Sequence, residues 1–231
     1  MPRAVAIVPF RDPRDAKQRL RQTLNDLDRW DLASAMLTDV LSALSSLRGL
    51  EVLVAAGTAA AGDVADRLGV PWMRDPSCED MELNRAVAHA RHRLGPSVDT
   101  LVVMADLPSL SPVEVQAILD READVAIAPS ADGGTSALLT RSGRPLPPLY
   151  GPSSAGRHRY AALSRGYVVE CLTLPGCILD VDTGRDLDRA TASLLGRRTR
   201  SVIDRLPSSA PTESRNAPAD PHRRSEFAAC R

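Results

Sequence analysis

The stretch AVAIVPFRDPRDAKQRL, residues 4–20, joins an apolar run to a cluster of cations. Its first seven residues are dominated by Ala, Val, Ile and Phe, which predicts a buried β-strand. The cations that follow are Arg11, Arg14, Lys17 and Arg19, and Lys17 is the only lysine among 29 basic residues. The stretch therefore predicts a first strand whose carboxyl end opens into a cationic loop.

This loop lacks the Gly-x-Gly-x-x-Gly pattern of dinucleotide-binding folds. Backbone amides and several cations suit a polyphosphate instead. An ammonium group is a compact point charge that can bridge phosphate oxygens where a planar guanidinium does not fit. We interpret Lys17 as a phosphate-binding residue; for the arginines alone, a solvated cationic turn remains the alternative.

Apolar runs typical of strands alternate along the chain with longer runs of helical periodicity. Strands are predicted at 4–10, 50–57, 70–76, 99–108, 123–130, 135–142, 167–175 and 177–182, and helices at 32–47, 61–69, 79–95, 111–120, 154–166 and 183–197. Ser111 and Pro112 have the residue types of an N-cap and a first helical position. The alternation favours an α/β fold with a mostly parallel sheet, covered by helices on both faces.

Composition excludes several classes of protein. The net charge is zero, which argues against a broad cationic face for nucleic acid. The spacing of the four cysteines matches neither a zinc site nor a disulfide framework, and no apolar run is long enough to span a membrane. We expect a cytoplasmic protein with one domain over residues 1–207. The Pro-, Ser- and Ala-rich stretch 208–231 predicts a disordered tail.

Ligands of parallel sheets bind beyond the carboxyl ends of the strands. Asp106 follows the strand DTLVV, where a carboxylate can hold Mg²⁺ shared with substrate phosphates. An N-cap role is the alternative for Asp106, although Ser111 fits the cap of the next helix better. Asp180 and Asp182 alternate along the last predicted strand, so only one of them can share a metal with Asp106.

Two further segments offer groups that could bind a small anion. The stretch DGGT at residues 132–135 is a turn whose Thr135 presents a hydroxyl, although a simple hairpin would need no function. Gly151 and Ser154 lie at the N-terminus of a predicted helix, where anions are attracted. His158 could act as a general base, but one histidine near a helix start is more often an anion contact or a surface residue.

The segments VPFRDPRDAKQRL, LNRAV, VVMADLP, PSADGGTSALL, YGPSSAGRH and LDVDTGRDL occur in the order seen in one known family. The chain resembles the 2-phospho-L-lactate and phosphoenolpyruvate guanylyltransferases of coenzyme F-420 biosynthesis, from residue 4 to about 190. The resemblance implies a Rossmann-like α/β/α sandwich of the nucleotide-diphospho-sugar, glycosyltransferase-A type. The chain differs from the family at Ser136, where the family often has Asn, and at Ala155-Gly156, where the family usually has an aromatic residue.

The resemblance also implies a reaction. A small phosphorylated three-carbon acid attacks the α-phosphate of GTP, and pyrophosphate leaves. By position, Arg11, Lys17, Arg19 and Asn84 resemble nucleotide contacts, with Lys17 and Asp106 catalytic. The acid would meet Thr135, Gly151 and Ser154, and Mg²⁺ would bind Asp106 with Asp180 or Asp182.

Several alternatives remain open. The acceptor could be phosphoenolpyruvate, 2-phospholactate or 3-phosphoglycerate. A related cytidylyl or sugar-nucleotide transferase is a second interpretation, although the glycine-rich turn typical of that group is missing after the first strand. A catalytically silent nucleotide-binding protein is a third. The resemblance also leaves open a homodimer, and it implies a downstream transferase that joins the activated acid to a deazaflavin precursor.

Overall fold

The computed structural model describes residues 4–11, 20–74, 82–178, 181, 183, 186–187, 189 and 194–206. Its strands are β1 (Ala4–Phe10), β2 (Leu50–Ala56), β3 (Trp72–Met73), β4 (Asp99–Val103), β5 (Val125–Pro129), β6 (Thr135–Thr140) and β7 (Val169–Cys171). Its helices are α1 (Asp26–Ser45), α2 (Ala59–Arg67), α3 (Leu83–Leu94), α4 (Pro112–Leu119), α5 (Ser154–Leu163), α6 (Pro175–Ile178) and α7 (Arg197–Ile203), as numbered here. The tail predicted from residue 208 lies outside the described residues.

The strands form one sheet in the order β3-β2-β1-β4-β6-β5-β7. β1 pairs in parallel with both β2 and β4, and β5 pairs in parallel with β7. β6 is antiparallel to both of its neighbours, β4 and β5. The prediction of a mostly parallel sheet is therefore confirmed, with β6 as the antiparallel strand.

Alternate residues of β1 pack into two separate cores. Ala6 and Val8 lie in a cluster with apolar residues of α1, α2 and α4. Val5 and Ile7 point the other way and pack with residues of α3 and α5. Since successive side chains of a strand point to opposite faces, the sheet is buried between two helical layers. This is the three-layer α/β/α arrangement expected from the sequence.

Some predicted bounds agree with the structure and others differ; β7, predicted at 167–175, spans only Val169–Cys171, and α1 differs at its start. α1 begins at Asp26, six residues before the predicted start, because the Asn25 side chain accepts a hydrogen bond from the Asp28 N–H at 2.9 Å. Residues Leu32 and Met36 of α1 pack away from the sheet, in a third cluster with Val202 of α7. α1 is thus buried along two sides.

The strand predicted at 177–182 is wrong for the residues that the structure describes at its start. Pro175–Ile178 forms the short helix α6, because the Glu114 carboxylate accepts a hydrogen bond from the Gly176 N–H at 2.6 Å and fixes this turn against α4. Periodicity cannot show whether an apolar run as short as CIL is a strand or a helix.

Within the described part of the chain, no helix has the length and apolar character needed to cross a bilayer.

Candidate active site

A cavity of about 240 Å³ lies where β4 ends and β6 begins. Among the residues that line it are Asp106, Ser130, Asp132, Thr135, Gly151 and Ser154. β4 and β6 are antiparallel neighbours, so the carboxyl end of one strand meets the amino end of the other. We call this space the β4–β6 cavity. It lies at the carboxyl edge of the parallel strands, where ligands of such sheets bind.

Asp106 enters the cavity because β4 ends early. The strand was predicted to reach residue 108, but it stops at Val103. The Met104 N–H still donates to the Ser136 carbonyl at 2.9 Å, and the chain then turns at Ala105 and Asp106. The half-buried carboxylate of Asp106 therefore stands just beyond the sheet, beside the first residues of β6.

The turn at Asp132–Gly134 connects β5 to β6 and also supports α5. The Asp132 Oδ1 accepts hydrogen bonds from the Gly134 N–H at 2.9 Å and from the Ser130 hydroxyl at 2.5 Å. A Cβ at Gly134 would stand 2.6 Å from the Ser130 Oγ, so a larger residue there would displace the Ser130 hydroxyl. The Gly133 carbonyl accepts from the Ala155 N–H at 3.2 Å. The hairpin and the first turn of α5 thus meet in one contact.

Thr135, Ser154 and His158 form a buried network at the wall of the cavity. The Thr135 Oγ1 lies 2.9 Å from the Ser154 Oγ and 3.0 Å from the His158 Nδ1. The other ring nitrogen, His158 Nε2, accepts from the Leu149 N–H at 2.9 Å. The ring also meets the Tyr150 ring edge-on at a centroid distance of 4.8 Å. These contacts join β6, α5 and the segment at residues 149–150.

His158 is neither a general base nor an anion contact in this geometry. Its side chain is fully buried, and burial, followed by the charges of Arg91 and Arg157, lowers its pKa to about 4. Both ring nitrogens already have partners within the protein. The surface position suggested from the sequence is therefore wrong, and a buried ring with both nitrogens partnered favours neither of the two functional interpretations. Periodicity within α5 was the available signal, since His158 lies four residues after the buried Ser154.

Asn84 borders the cavity without reaching into it. Its Oδ1 accepts from the Tyr150 N–H at 2.7 Å, and its Nδ2 donates to the Tyr150 carbonyl at 3.1 Å. Gly151, the next residue, lines the cavity with a φ of 124°, in a region that favours glycine. A Cβ at Gly151 would stand 3.1 Å from the Arg157 Nη2. α3 thus anchors the segment that presents Gly151.

The structure brings four of the ten predicted site residues together in the β4–β6 cavity, namely Asp106, Thr135, Gly151 and Ser154. Arg11 follows β1 at the same edge of the sheet and is exposed. Lys17, Arg19, Asp180 and Asp182 lie outside the described residues. Sequence reasoning did not select Ser130, Asp132 or Tyr150 as site residues, and for Tyr150 its place directly before Gly151 was the only signal.

The donor type at the cavity fits a hard cation. Asp106 offers carboxylate oxygens, which are preferred ligands of Mg²⁺. Within the described ranges, no group of three or more His, Cys, Asp or Glu side chains could hold a metal ion. The other ligands that the sequence suggests, Asp180 and Asp182, are not among those residues. Magnesium therefore remains a prediction that rests here on Asp106.

A second, larger cavity of about 560 Å³ lies at the opposite edge of the sheet, beside Thr100 and Thr140. Two of the four arginines that line it pair with carboxylates. The Arg141 Nη1 lies 2.8 Å from an Asp99 carboxylate oxygen, and the Arg144 Nε lies 2.8 Å from an Asp124 carboxylate oxygen. The Nε and Nη2 of Arg91, in the same wall, are buried without hydrogen-bond partners among the described residues. Because this cavity lies away from the predicted residues, the smaller β4–β6 cavity is the better candidate active site.

Curated proteins similar to this chain are guanylyltransferases with three different acceptors. The phosphoenolpyruvate guanylyltransferase of Roseiflexus castenholzii is 37% identical, over 79% of this chain and 85% of its own. The 3-phospho-D-glycerate guanylyltransferase of Phenylobacterium zucineum is 32% identical, over 89% and 97%. The 2-phospho-L-lactate guanylyltransferase of Methanopyrus kandleri is 32% identical, over 86% and 98%.

Solved structures confirm the fold. A nucleotide-diphospho-sugar transferase structure from Desulfovibrio desulfuricans G20 matches with a TM-score of 0.71 at 19% identity, covering 88% of this chain and 95% of that one. A nucleotidyl transferase from Methanothermobacter has a TM-score of 0.60 at 18% identity, covering 81% and 95%. The family model described as "Guanylyl transferase CofC like" matches residues 4–207. The chain therefore belongs to this guanylyl transferase family and is a nucleotidyltransferase.

Proposed function

We propose that this protein transfers GMP from GTP to phosphoenolpyruvate, or to 2-phospho-L-lactate, and releases pyrophosphate. The observation that carries the proposal is the β4–β6 cavity, in which the Asp106 carboxylate and the hydroxyls of Thr135 and Ser154 share one small space. A carboxylate suits the metal–triphosphate side of such a reaction, and hydroxyl donors suit an acidic acceptor. The 3-phosphoglycerate acceptor of one relative is the alternative within the same class.

In this reaction a phosphate oxygen of the acid forms a bond to the α-phosphorus of GTP. The bond between that phosphorus and the bridging oxygen to the β-phosphate breaks, and pyrophosphate leaves with the electron pair. The attacking phosphate is already an anion, so no strong base is needed and positioning dominates catalysis. The buried, neutral His158 is compatible with this chemistry, because it does not have to accept a proton.

The side chains divide into two groups by chemistry. Thr135 and Ser154 would hold the acid, and the backbone at Gly151 would approach it closely because no side chain stands there. Arg11, Lys17 and Arg19 would hold the triphosphate. Mg²⁺, bound by Asp106 with Asp180 or Asp182, would supply charge neutralisation at the phosphates.

Phosphoenolpyruvate is our first choice of acceptor. Relatives named for it reach 37% identity, whereas those named for 3-phosphoglycerate and 2-phospholactate are 32% identical. We place the reaction in the cytoplasm and in coenzyme F-420 biosynthesis. The activated acid is an anhydride, so a transferase that consumes it is the expected downstream partner.

The test uses the purified full chain with GTP, Mg²⁺ and each of the three acids in turn. We expect pyrophosphate release with phosphoenolpyruvate or 2-phospholactate, and a product whose mass equals the acid plus a guanylyl group. CTP in place of GTP is the control for the related cytidylyltransferases. Ligand binding without pyrophosphate release from any acid would overturn the proposal and favour a silent nucleotide-binding protein.

A further inference from the structure

The hydrogen-bond network around His158 has a fixed direction. The Leu149 N–H points at His158 Nε2 from 2.9 Å, so Nε2 must offer its lone pair. A neutral imidazole carries one proton, which must then be on Nδ1. Burial holds the pKa of this ring at about 4, so the ring is neutral near pH 7. The backbone of Leu149 therefore selects the tautomer of His158.

That tautomer determines what Thr135 can do. The His158 Nδ1–H donates to the Thr135 Oγ1 at 3.0 Å, so the Thr135 oxygen accepts and its own proton points elsewhere. The Thr135 Oγ1 also lies 2.9 Å from the Ser154 Oγ, and one hydroxyl of this pair donates to the other. The network holds two hydroxyl protons, and only one is used between the two oxygens.

One hydroxyl proton is therefore left over, whichever of the two hydroxyls donates to its neighbour. Thr135 and Ser154 make no other side-chain hydrogen bonds with the described residues, and both line the β4–β6 cavity. The pair thus presents one O–H donor to a bound molecule. A phosphate or carboxylate oxygen is the complement of such a donor.

We infer that His158 is a positioning residue, which orients the Thr135–Ser154 pair so that it donates one hydroxyl hydrogen bond to an anionic group of the acceptor acid. This rests on the proposed function for the identity of the acid. The imidazole itself touches neither substrate and transfers no proton. Its two hydrogen bonds run from the Leu149 backbone to the wall of the cavity, so ring position and donor direction are set together.

A spectroscopic test needs no turnover. In full-length protein labelled with ¹⁵N-histidine, we expect His158 to be protonated on Nδ1 and unprotonated on Nε2 between pH 6 and 8, with its signals assigned by their loss in His158→Asn. An Nε2–H ring or a charged ring would overturn the inference. Because this result does not depend on the acid, it separates failure of the inference from failure of the proposed function.

Kinetics then test the positioning role with two substitutions. The Asn amide can place an N–H near the position of Nδ1, whereas Leu removes both polar contacts. We expect His158→Leu to raise the KM for the acid roughly 10- to 100-fold, the value of one hydrogen bond to a charged group, with kcat and the KM for GTP within about threefold of wild type. In His158→Asn, the KM for the acid should return most of the way to the wild-type value.

The exposed His92 on α3 offers a matched control, and His92→Asn should leave all three constants unchanged. Two kinetic outcomes would overturn the inference. One is an equal rise of the KM for GTP and of the KM for the acid, which would indicate a general structural role. The other is a His158→Asn variant that folds, as judged by its thermal unfolding, yet is no better than His158→Leu.

Discussion

The side-chain amide of Asn84 forms two hydrogen bonds with the backbone of Tyr150, one at 2.7 Å to its N–H and one at 3.1 Å to its carbonyl. The amide therefore acts like a neighbouring peptide group and ties α3 to the segment that leads into Gly151. The family resemblance suggested that Asn84 is a nucleotide contact. In the structure its hydrogen bonds go to the residue before Gly151, on the side of the β4–β6 cavity that we propose for the acceptor.

Asn84→Ala should consequently weaken binding of the acid more than binding of the nucleotide. It leaves two polar groups of the buried Tyr150 backbone without partners, which costs about 1–3 kcal/mol of unfolding free energy. We expect a higher KM for the acid and a nearly unchanged KM for GTP. Urea unfolding and steady-state kinetics check both effects.

Gln116→Ala, on the exposed side of α4, is the control and should change stability by less than about 0.5 kcal/mol. If Asn84→Ala instead raised only the KM for GTP while stability stayed constant, the nucleotide-binding role suggested by the sequence would be correct.

Asp106→Asn should keep the fold and nearly abolish turnover. The substitution preserves shape but removes the charge expected to hold Mg²⁺, and loss of such electrostatic stabilisation typically costs at least about 100-fold in rate. Pyrophosphate release measures the rate, and thermal unfolding checks the fold. Asp66→Asn, on the exposed face of α2, is the control for loss of one carboxylate. A variant of Asp106 with full activity would contradict the metal role.

Lys17→Arg should weaken the use of GTP even though the charge is kept, because a planar guanidinium cannot replace a compact ammonium group between phosphate oxygens. Lys17→Ala is the companion variant. If charge alone mattered, the Arg variant would match wild type and the Ala variant would not. The KM for GTP at fixed acid concentration decides between the two explanations.

Local sequence signals predicted the parts of the fold that depend on local contacts. The Ser111 cap is one example, because its hydroxyl accepts from the Glu114 N–H and the Glu114 carboxylate accepts from the Ser111 N–H, all within one turn. α7 has no such local signal. Its first turn is capped by the Asp39 carboxylate, which accepts from the Arg198 and Thr199 N–H groups across about 160 residues of chain. That contact exists only after α1 has packed.

The candidate site likewise has features that local sequence signals predict and features that depend on long-range contacts. Asp106, Thr135 and Ser154 stand next to strand or helix ends, so the general rule for parallel sheets located them. The direction of β6 and the burial of His158 depend on which strands pair and on what covers α5. The four-residue spacing of Ser154 and His158 hints at a shared buried face, but the strand pairing and the cover over α5 are not encoded within a single stretch, which is why His158 was interpreted as a base, an anion contact or a surface residue.

His158 should also make stability depend on pH. Its pKa is about 4 in the folded protein and near 6.5 when exposed, so the unfolded chain binds the additional proton between these values. The contribution of the neutral ring is fully present above pH 6.5 and is lost as pH falls towards 4, by roughly 3 kcal/mol in total. Urea unfolding between pH 7.5 and 5 measures it.

The decisive comparison is with His158→Asn, which has no group that titrates in this range. Its unfolding free energy should depend less steeply on pH between 6.5 and 5 than that of wild type. His92→Asn, at an exposed position of α3, should retain the wild-type slope. Equal slopes for wild type and His158→Asn would show that the buried ring does not couple to folding.

Gly151→Ala should damage the acceptor side of the cavity. The backbone at Gly151 has a φ of 124°, a value that residues with a side chain rarely adopt. In addition, the new Cβ would stand 3.1 Å from the Arg157 Nη2. We expect a loss of about 1–3 kcal/mol in unfolding free energy and a higher KM for the acid. Gly156→Ala is a matched control, because Gly156 lies within α5 with open space where a Cβ would stand. That control should stabilise the protein by up to about 1 kcal/mol, since Ala favours helix more than Gly. If both variants behaved alike in stability and in the KM for the acid, the backbone at Gly151 would have no special role in holding the acceptor.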